Sequence, residues 1–250
     1  MPAAKVAVVI PARFGSTRFP GKPLFKIAGK PLIQHVWERC GKARGITAVI
    51  VATDDIRIAE AAFDFGAEVS MTSPKHRSGT DRCAEVAKRL RGFFHVINVQ
   101  GDEPLIDPAL VTRLAKTLIA DRAIEMITAA NAFGSDDEVG NPNAVKVVLD
   151  RQSNALYFSR STIPFVRGDG RPPTFYRHQG IYGYSLKFLL QFVKWKPGAL
   201  EQCEQLEQLR ALENGARIRV VLTKSTSIGV DAPEDAALVE RMLSSSSSSA

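Results

Sequence analysis

Val6-Ala7-Val8-Val9-Ile10 runs directly into Pro11-Ala12-Arg13-Phe14-Gly15-Ser16-Thr17-Arg18-Phe19-Pro20-Gly21-Lys22-Pro23-Leu24. The apolar run reads as a strand buried on both faces, and what leaves its end is a cationic loop hinged at two glycines. In an open α/β sheet the ligand crevice lies outside the carboxyl ends of the strands, so this loop points to a phosphate-bearing ligand. A dinucleotide fingerprint would need a third glycine at G-x-G-x-x-G spacing, and only Gly15 and Gly21 are present. A P-loop would need a Ser or Thr after its lysine, where Pro23 follows Lys22. Pro20 and Pro23 also remove two backbone amides from any phosphate cradle. Recognition by side chains remains, with Arg13, Arg18 and Lys22 as donors.

The length of 250 residues with 45% hydrophobic content suits one large α/β domain or a domain with a small appendage. A net charge of +7 favours anionic partners, but the cations are spread along the chain without the interleaved aromatics of a nucleic-acid reader. A polyanionic small molecule fits better than DNA or RNA. Cys40, Cys83 and Cys203 are odd in number and lack C-x-x-C spacing, which indicates neither a disulfide framework nor a zinc site. They read as buried thiols in a reducing cytoplasm. The first strand begins too early for a signal peptide, and no apolar run approaches the roughly 18 residues of a membrane span.

Strand-like runs alternate with amphipathic stretches through the first half, the pattern of a mostly parallel sheet covered on both faces in a three-layer α/β/α sandwich. Strands are expected at 6–10, 48–53, 69–72 and 94–99, with helices after Pro31 and Asp55, a turn-rich loop over 73–81 leading into a helix that carries Cys83, Val86, Ala87 and Leu90, and another helix from Pro108. The second half is less regular. Strands are expected at 126–130, 144–149, 155–159, 178–184 and 217–222, helices at 186–192, 199–212 and 233–243, and a Gly- and Pro-rich surface loop at 168–174. One domain over 1–243 is expected, with an irregular portion around 131–200 and a disordered serine-rich tail over 244–250.

Asp102 follows an apolar strand and precedes Glu103-Pro104, which places its carboxylate at the same sheet edge as the basic loop. That suits a Mg²⁺ ligand, since Mg²⁺ takes one or two protein carboxylates and fills its shell with water and phosphate oxygens. A turn aspartate before proline is the bland alternative. Asp231-Ala232-Pro233-Glu234 taken alone spells a helix N-cap. His178, Tyr182 and Tyr184 share a face of one strand, as substrate contacts or as core residues with satisfied polar tips.

Pro11-Ala12-Arg13, Phe19-Pro20-Gly21-Lys22-Pro23-Leu24, Ala52-Thr53-Asp54-Asp55, Ser78-Gly79-Thr80-Asp81-Arg82, Asn98-Val99-Gln100-Gly101-Asp102-Glu103-Pro104, Tyr157-Phe158-Ser159-Arg160, Leu206-Glu207-Gln208-Leu209-Arg210 and Val230-Asp231-Ala232-Pro233-Glu234-Asp235 occur in this order. Together they closely resemble the 3-deoxy-manno-octulosonate cytidylyltransferases, over about 5–243. The resemblance implies a nucleotidyltransferase domain akin to the GT-A glycosyltransferases and a cytoplasmic homodimer. It also implies CTP and the sugar acid Kdo as substrates, Mg²⁺ as cofactor, and CMP-Kdo for lipopolysaccharide biosynthesis as product. By the same resemblance Ala12, Arg13 and Ser16 lie against the nucleotide, Lys22 holds triphosphate oxygens, and Ser78, Gly79 and Thr80 line the cytosine pocket. Asp102 and Asp231 ligate Mg²⁺, while Lys22, Arg13 and Asp102 carry catalysis. Gln100, Arg160, His178, Tyr182, Glu207 and Gln208 hold the sugar acid. Gln179 departs from the family, where an aliphatic residue usually follows the histidine.

Three rivals bracket this reading. A cytidylyltransferase for another ulosonic acid, such as 8-amino-Kdo or a sialic-acid-like sugar, would differ only in sugar-side residues. A glycosyltransferase would need a D-x-D metal motif, and Gln100-Gly101-Asp102 lacks its first acid. A catalytically silent nucleotide-binding regulator would have no use for Lys22 and both aspartates.

Overall fold

The computed structural model describes residues 4–15, 19–168, 173–226 and 228–247. Its elements in chain order are β1 (Lys5–Ala12), β2 (Lys26–Ile27), β3 (Lys30–Pro31), α1 (Leu32–Gly41), β4 (Ala48–Thr53), α2 (Ile56–Asp64), β5 (Glu68–Met71), α3 (Gly79–Ala87), β6 (Phe93–Asn98) and α4 (Pro108–Ala120). There follow β7 (Met126–Ala132), α5 (Asp136–Val139), β8 (Lys146–Leu149), β9 (Ala155–Ser159), β10 (Tyr176–Ser185), α6 (Leu186–Phe192), α7 (Ala199–Glu204), α8 (Gln208–Glu213), β11 (Ile218–Thr223) and α9 (Pro233–Ser247). The α/β class expected from the sequence is the one found. Residue contacts gather into two compact units, 1–116 with 227–250 and 117–226.

In the first unit β1 pairs in parallel with both β4 and β6, and β4 pairs in parallel with β5. The chain therefore steps outward from β1 to β4 to β5 and then returns to the far side of β1 as β6. Val6, Ala7, Val8, Val9 and Ile10 are all 0% exposed, as a strand covered on both faces requires. Burying each Val or Ile of that run contributes ~1.5–3 kcal/mol. In α1 the residues Leu32, Ile33, Val36 and Cys40 recur at helical spacing and are all 0% exposed. Asp55 caps α2 by accepting from the Arg57 amide at 3.0 Å, and Ser78 caps α3 through the Asp81 amide at 3.1 Å.

The second unit holds β7 parallel to β11 and antiparallel to β10, with β8 antiparallel to β10 and β9. The β7–β10 register shifts between Gln179 and Tyr182. Tyr184, Phe188, Phe192 and Trp195 form a contiguous aromatic cluster with ring centroids 5.6–6.5 Å apart.

Several expectations need correction. The single helix over 199–212 is two helices, because Gln205 takes a left-handed conformation at φ 54° and ends α7. The apolar spacing of Leu206 and Leu209 carries the periodicity across that break and hides it. Cys203 is exposed, while Cys40 and Cys83 are buried as expected. The closing helix runs past 243 to Ser247, with the Ser244 hydroxyl donating to the Glu240 carbonyl at 3.0 Å; residues 248–250 lie outside the described residues. The expected surface loop at 168–174 is described only at its two ends. Two short pieces carry no sequence periodicity: a 3-10 turn over Lys22–Leu24, and the β2–β3 hairpin closed by Ala28 at φ 47° and Gly29 at φ 80°.

The ends of β1 and β6 approach too closely for a side chain on one of them. A Cβ built on Gly101 would lie 2.7 Å from the Pro11 carbonyl oxygen. Gly101→Ala is expected to destabilise the protein by about 1–3 kcal/mol through overpacking against rigid backbone. Urea unfolding is the measurement, and an unchanged midpoint would contradict that approach.

Candidate active site

Between β1 and β6 the order of strands reverses, and a parallel sheet opens a crevice at such a point beyond its carboxyl ends. Ala12 and Arg13 arrive there from β1, and Gln100 and Asp102 arrive from β6. The Gly21 amide donates to the Phe14 carbonyl at 3.0 Å. Gly21 itself sits at φ 72°, a conformation that favours glycine, and so starts the 3-10 turn that presents Lys22. The Lys22 ammonium lies 2.6 Å from Asp102 Oδ2 and 3.5 Å from Asp231 Oδ1, with only 14% of its side chain exposed.

Asp231 reaches this point because the Val230 amide donates to the Asp102 carbonyl at 2.9 Å, which pins the segment before α9 against the end of β6. Asp231 does not occupy the cap position of that helix. The turn is closed from inside, where Asp235 Oδ2 accepts from the Asp231 and Ala232 amides at 2.8 and 2.9 Å. The cap reading of Asp231 is thereby replaced by one in which its carboxylate faces Lys22.

These residues line a cavity of about 290 Å³ together with His76, Arg77, Ser78, Gly79 and Arg82. Arg13, Lys22, Arg77 and Arg82 put four cations around it against the carboxylates of Asp102 and Asp231. The amino-terminal end of α3 also opens onto it, and a helix start favours an anion. Arg82 is 4% exposed and braced, its guanidinium paired with Asp54 at 3.0 Å and bonded to the Thr72 hydroxyl. Glu85 braces the neighbouring loop: it accepts from the Ser73 amide at 2.9 Å and pairs with His76 Nε2 at 2.5 Å and with Arg89. The Ser73 amide and His76 hold the Glu85 carboxyl below its ordinary value.

The second unit has a cavity of about 470 Å³ lined by His178, Tyr182, Gln208, Asn141, Arg177 and Leu206 among others. The Tyr182 hydroxyl donates to Gln208 Oε1 at 3.0 Å, and Gln208 Nε2 is buried without a partner among the described residues. An orphaned donor buried in a cavity wall costs about 1–3 kcal/mol, and a ligand oxygen would recover it. His178 lies 5.4 Å from the Tyr182 ring and 4.9 Å from Phe158, and burial pulls its imidazole down to about 3, so it is neutral at physiological pH.

The sequence expectations sort accordingly. Ala12, Arg13, Lys22, Ser78, Gly79, Gln100, Asp102 and Asp231 meet at the first cavity, and His178, Tyr182 and Gln208 at the second. Ser16 and Arg18 lie outside the described residues. Thr80 is 3% exposed and is not among the residues lining the first cavity. Glu207 lies 3.6 Å from Arg210 and does not line the second. Arg160 does not line it either: its guanidinium donates to the carbonyls of Glu204 at 2.7 Å, Pro142 at 3.1 Å and Gln205 at 3.5 Å. Those bonds brace the loop after β9 against the end of α7 and use three of the five guanidinium N–H groups. Sequence reasoning assigned no role to His76, Arg77 and Arg82. The run Lys75-His76-Arg77 just ahead of a capped helix was the signal.

Residues 7–218 match the family model for cytidylyltransferases. A 3-deoxy-manno-octulosonate cytidylyltransferase of Geobacter sulfurreducens is 51% identical over 92% of this chain and 96% of its own. One from Vibrio vulnificus is 50% identical over 96% and 98%. Among solved structures, a CMP:2-keto-3-deoxy-manno-octonic acid synthetase complexed with CTP superposes with a TM-score of 0.93 at 40% identity, over 97% of this chain and all of that one. With the end of β1 at the switch point of the sheet and a sequence that agrees with these relatives along nearly its whole length, the chain belongs to the cytidylyltransferase family, among the 3-deoxy-manno-octulosonate cytidylyltransferases.

Proposed function

We propose that the protein transfers CMP from CTP to the anomeric hydroxyl of Kdo, giving CMP-Kdo and pyrophosphate for lipopolysaccharide biosynthesis. The observation that carries this reading is Lys22 between Asp102 and Asp231 at the mouth of the crevice, in a cavity with a surplus of cations. The names of the relatives and the CTP complex of the solved neighbour support the choice of substrates.

In the reaction the anomeric oxygen attacks the α-phosphorus in line, the new C–O–P linkage forms as the α–β bridging bond breaks, and its electrons leave on pyrophosphate. The hydroxyl proton passes to solvent. Lys22 and Arg13 offset charge on the phosphate oxygens, and the start of α3 at Ser78 and Gly79 adds backbone donors. Braced from behind by Asp54 and Thr72, Arg82 offers a cation that does not have to reorganise. Gln100 is the polar wall residue beside Asp102. His178, Tyr182 and Gln208 bind the sugar acid by hydrogen bonds.

Mg²⁺ is the proposed cofactor. The donor set fits it, because Asp102 and Asp231 already converge on one cation, the Lys22 ammonium. Two carboxylates with triphosphate oxygens and water make a suitable hard octahedral shell. Bound there, the ion would lower the hydroxyl pKa and neutralise phosphate charge. We also propose a cytoplasmic homodimer. Among the described residues no helix is long and apolar enough to cross a membrane, and Phe165 at 87% and Leu156 at 60% exposure are apolar surface a second copy would cover.

Pyrophosphate release from CTP with Mg²⁺, run with Kdo, 8-amino-Kdo and N-acetylneuraminate in turn, tests the reading. Kdo is expected to be the best acceptor, and preference for either of the others would move the protein to a different ulosonic acid. Asp102→Ala is expected to lower kcat by at least about a hundredfold. Near-normal turnover in that variant would remove Asp102 from the mechanism.

Glu85→Gln is expected to raise KM for CTP severalfold with little change in KM for Kdo, because it loosens the loop carrying His76, Arg77 and Ser78. The depressed Glu85 carboxyl adds stability above its unfolded value, and that contribution is lost as pH falls through its folded value. A wild-type and a Gln variant with superimposable acid-denaturation curves would contradict this.

A further inference from the structure

Thr128 is the polar residue inside the otherwise apolar stretch Met126 to Ala130 of β7, and it is 0% exposed. It stands opposite Tyr182, beside the register shift of β10, and its hydroxyl fills that irregularity. Oγ1 lies 2.8 Å from the Ile181 carbonyl oxygen, 3.2 Å from the Gln179 carbonyl oxygen and 2.9 Å from His178 Nε2.

A hydroxyl has one proton to give. Carbonyl oxygens only accept, so the proton is shared between Ile181 and Gln179, and the Thr128 oxygen has only lone pairs to turn toward the imidazole. Were the proton given to His178 instead, the hydroxyl oxygen would face two carbonyl oxygens in a dry interior with nothing between them, a costly arrangement. The contact at 2.9 Å is therefore a hydrogen bond donated by Nε2. A neutral imidazole carries one proton, and His178 is neutral because burial holds it near 3. Its Nδ1 is then a bare acceptor. Packing of the ring against Phe158 and Tyr182 fixes its plane, and His178 lines the second cavity.

We propose that Thr128 is a positioning residue that locks His178 in the Nε2–H tautomer, leaving Nδ1 as an acceptor for a hydroxyl of the sugar acid. Together with the unpartnered Nε2 of Gln208 in the same wall, the cavity presents an acceptor and a donor. That pair matches hydroxyl groups, which give and take, and disfavours an ammonium, which only gives. The inference rests on the proposed function for the identity of the ligand, on hydrogen-bond geometry for the proton on Nε2, and on burial for the neutral ring.

The proton is read directly from long-range ¹H–¹⁵N spectra of ligand-free, histidine-labelled protein, with His178→Gln assigning the signal. The expected result is a neutral ring with its proton on Nε2; a proton on Nδ1, or a charged ring at neutral pH, overturns the proposal. Thr128→Val removes the lock without changing the shape of the side chain. It is expected to mix the tautomers and raise KM for Kdo about tenfold, the loss of one good hydrogen bond, while KM for CTP stays unchanged. Thr128→Ser, which keeps the hydroxyl, is expected to restore both spectrum and KM. A folded Thr128→Val with the wild-type spectrum and the wild-type KM for Kdo overturns the proposal. Should Thr128→Val not fold, the wild-type spectrum and the Thr128→Ser kinetics decide. Absence of any turnover with Kdo, alongside a proton found on Nε2, rejects the proposed function while upholding the assignment of the proton.

Discussion

Strand β1 is held in parallel on both sides, and that constraint governs the first unit. With β4 on one edge and β6 on the other, its five central residues have no exposure at all, so the strand cannot slide or tilt without opening the core. The sheet order reverses across it, and at its carboxyl end the loops from two neighbouring strands diverge to leave a gap. Close approach of Gly101 to Pro11 keeps the gap narrow at its floor, and the Val230 amide bound to the Asp102 carbonyl brings in a segment more than a hundred residues away.

The second unit uses charge as mortar. Lys146 is 0% exposed and its ammonium donates to the carbonyls of Asn141 and Arg160; burial above all, with the Arg160 charge, pulls its pKa down against the opposing pull of Glu204. Glu204 in turn accepts from the Ser159 hydroxyl at 2.6 Å and the Arg160 amide at 2.9 Å. Two ionisable side chains thus tie the ends of β8 and β9 and the end of α7 into one block. A buried ion that is fully hydrogen-bonded specifies an arrangement more than it adds net stability.

Much of this was legible in the residues, and the illegible parts share a cause. Strands such as Ala48–Thr53 and Ala155–Ser159 have apolar runs and clear turn signals at both ends, and they appear where those signals put them. The loop after β1 and Asp102 were readable because position at a sheet edge constrains chemistry. The bonds of Arg160 to backbone carbonyls were not legible, because its motif says nothing about what a guanidinium meets. Asp231 looked like a cap, since the same Asp-x-Pro-acid pattern serves both a capping box and, with Asp235 closing the turn, a carboxylate turned elsewhere. The break at Gln205 was invisible because a non-glycine residue rarely adopts positive φ and no composition cue marks it. Thr128 was overlooked because a single polar residue in a strand has no meaning until the bulge opposite it is known.

Arg82 joins what three separate elements contribute: α3 carries it, Asp54 follows β4, and Thr72 follows β5. One guanidinium serving several acceptors makes these positions a unit under natural selection. Loss of Asp54 strands a nearly enclosed cation, and loss of Arg82 takes the cation from Asp54, so neither change is a tolerable first step alone. Descendants of this chain can therefore drift freely along the outer faces of α2 and α3 while this trio stays frozen, or else is exchanged in a single coordinated event.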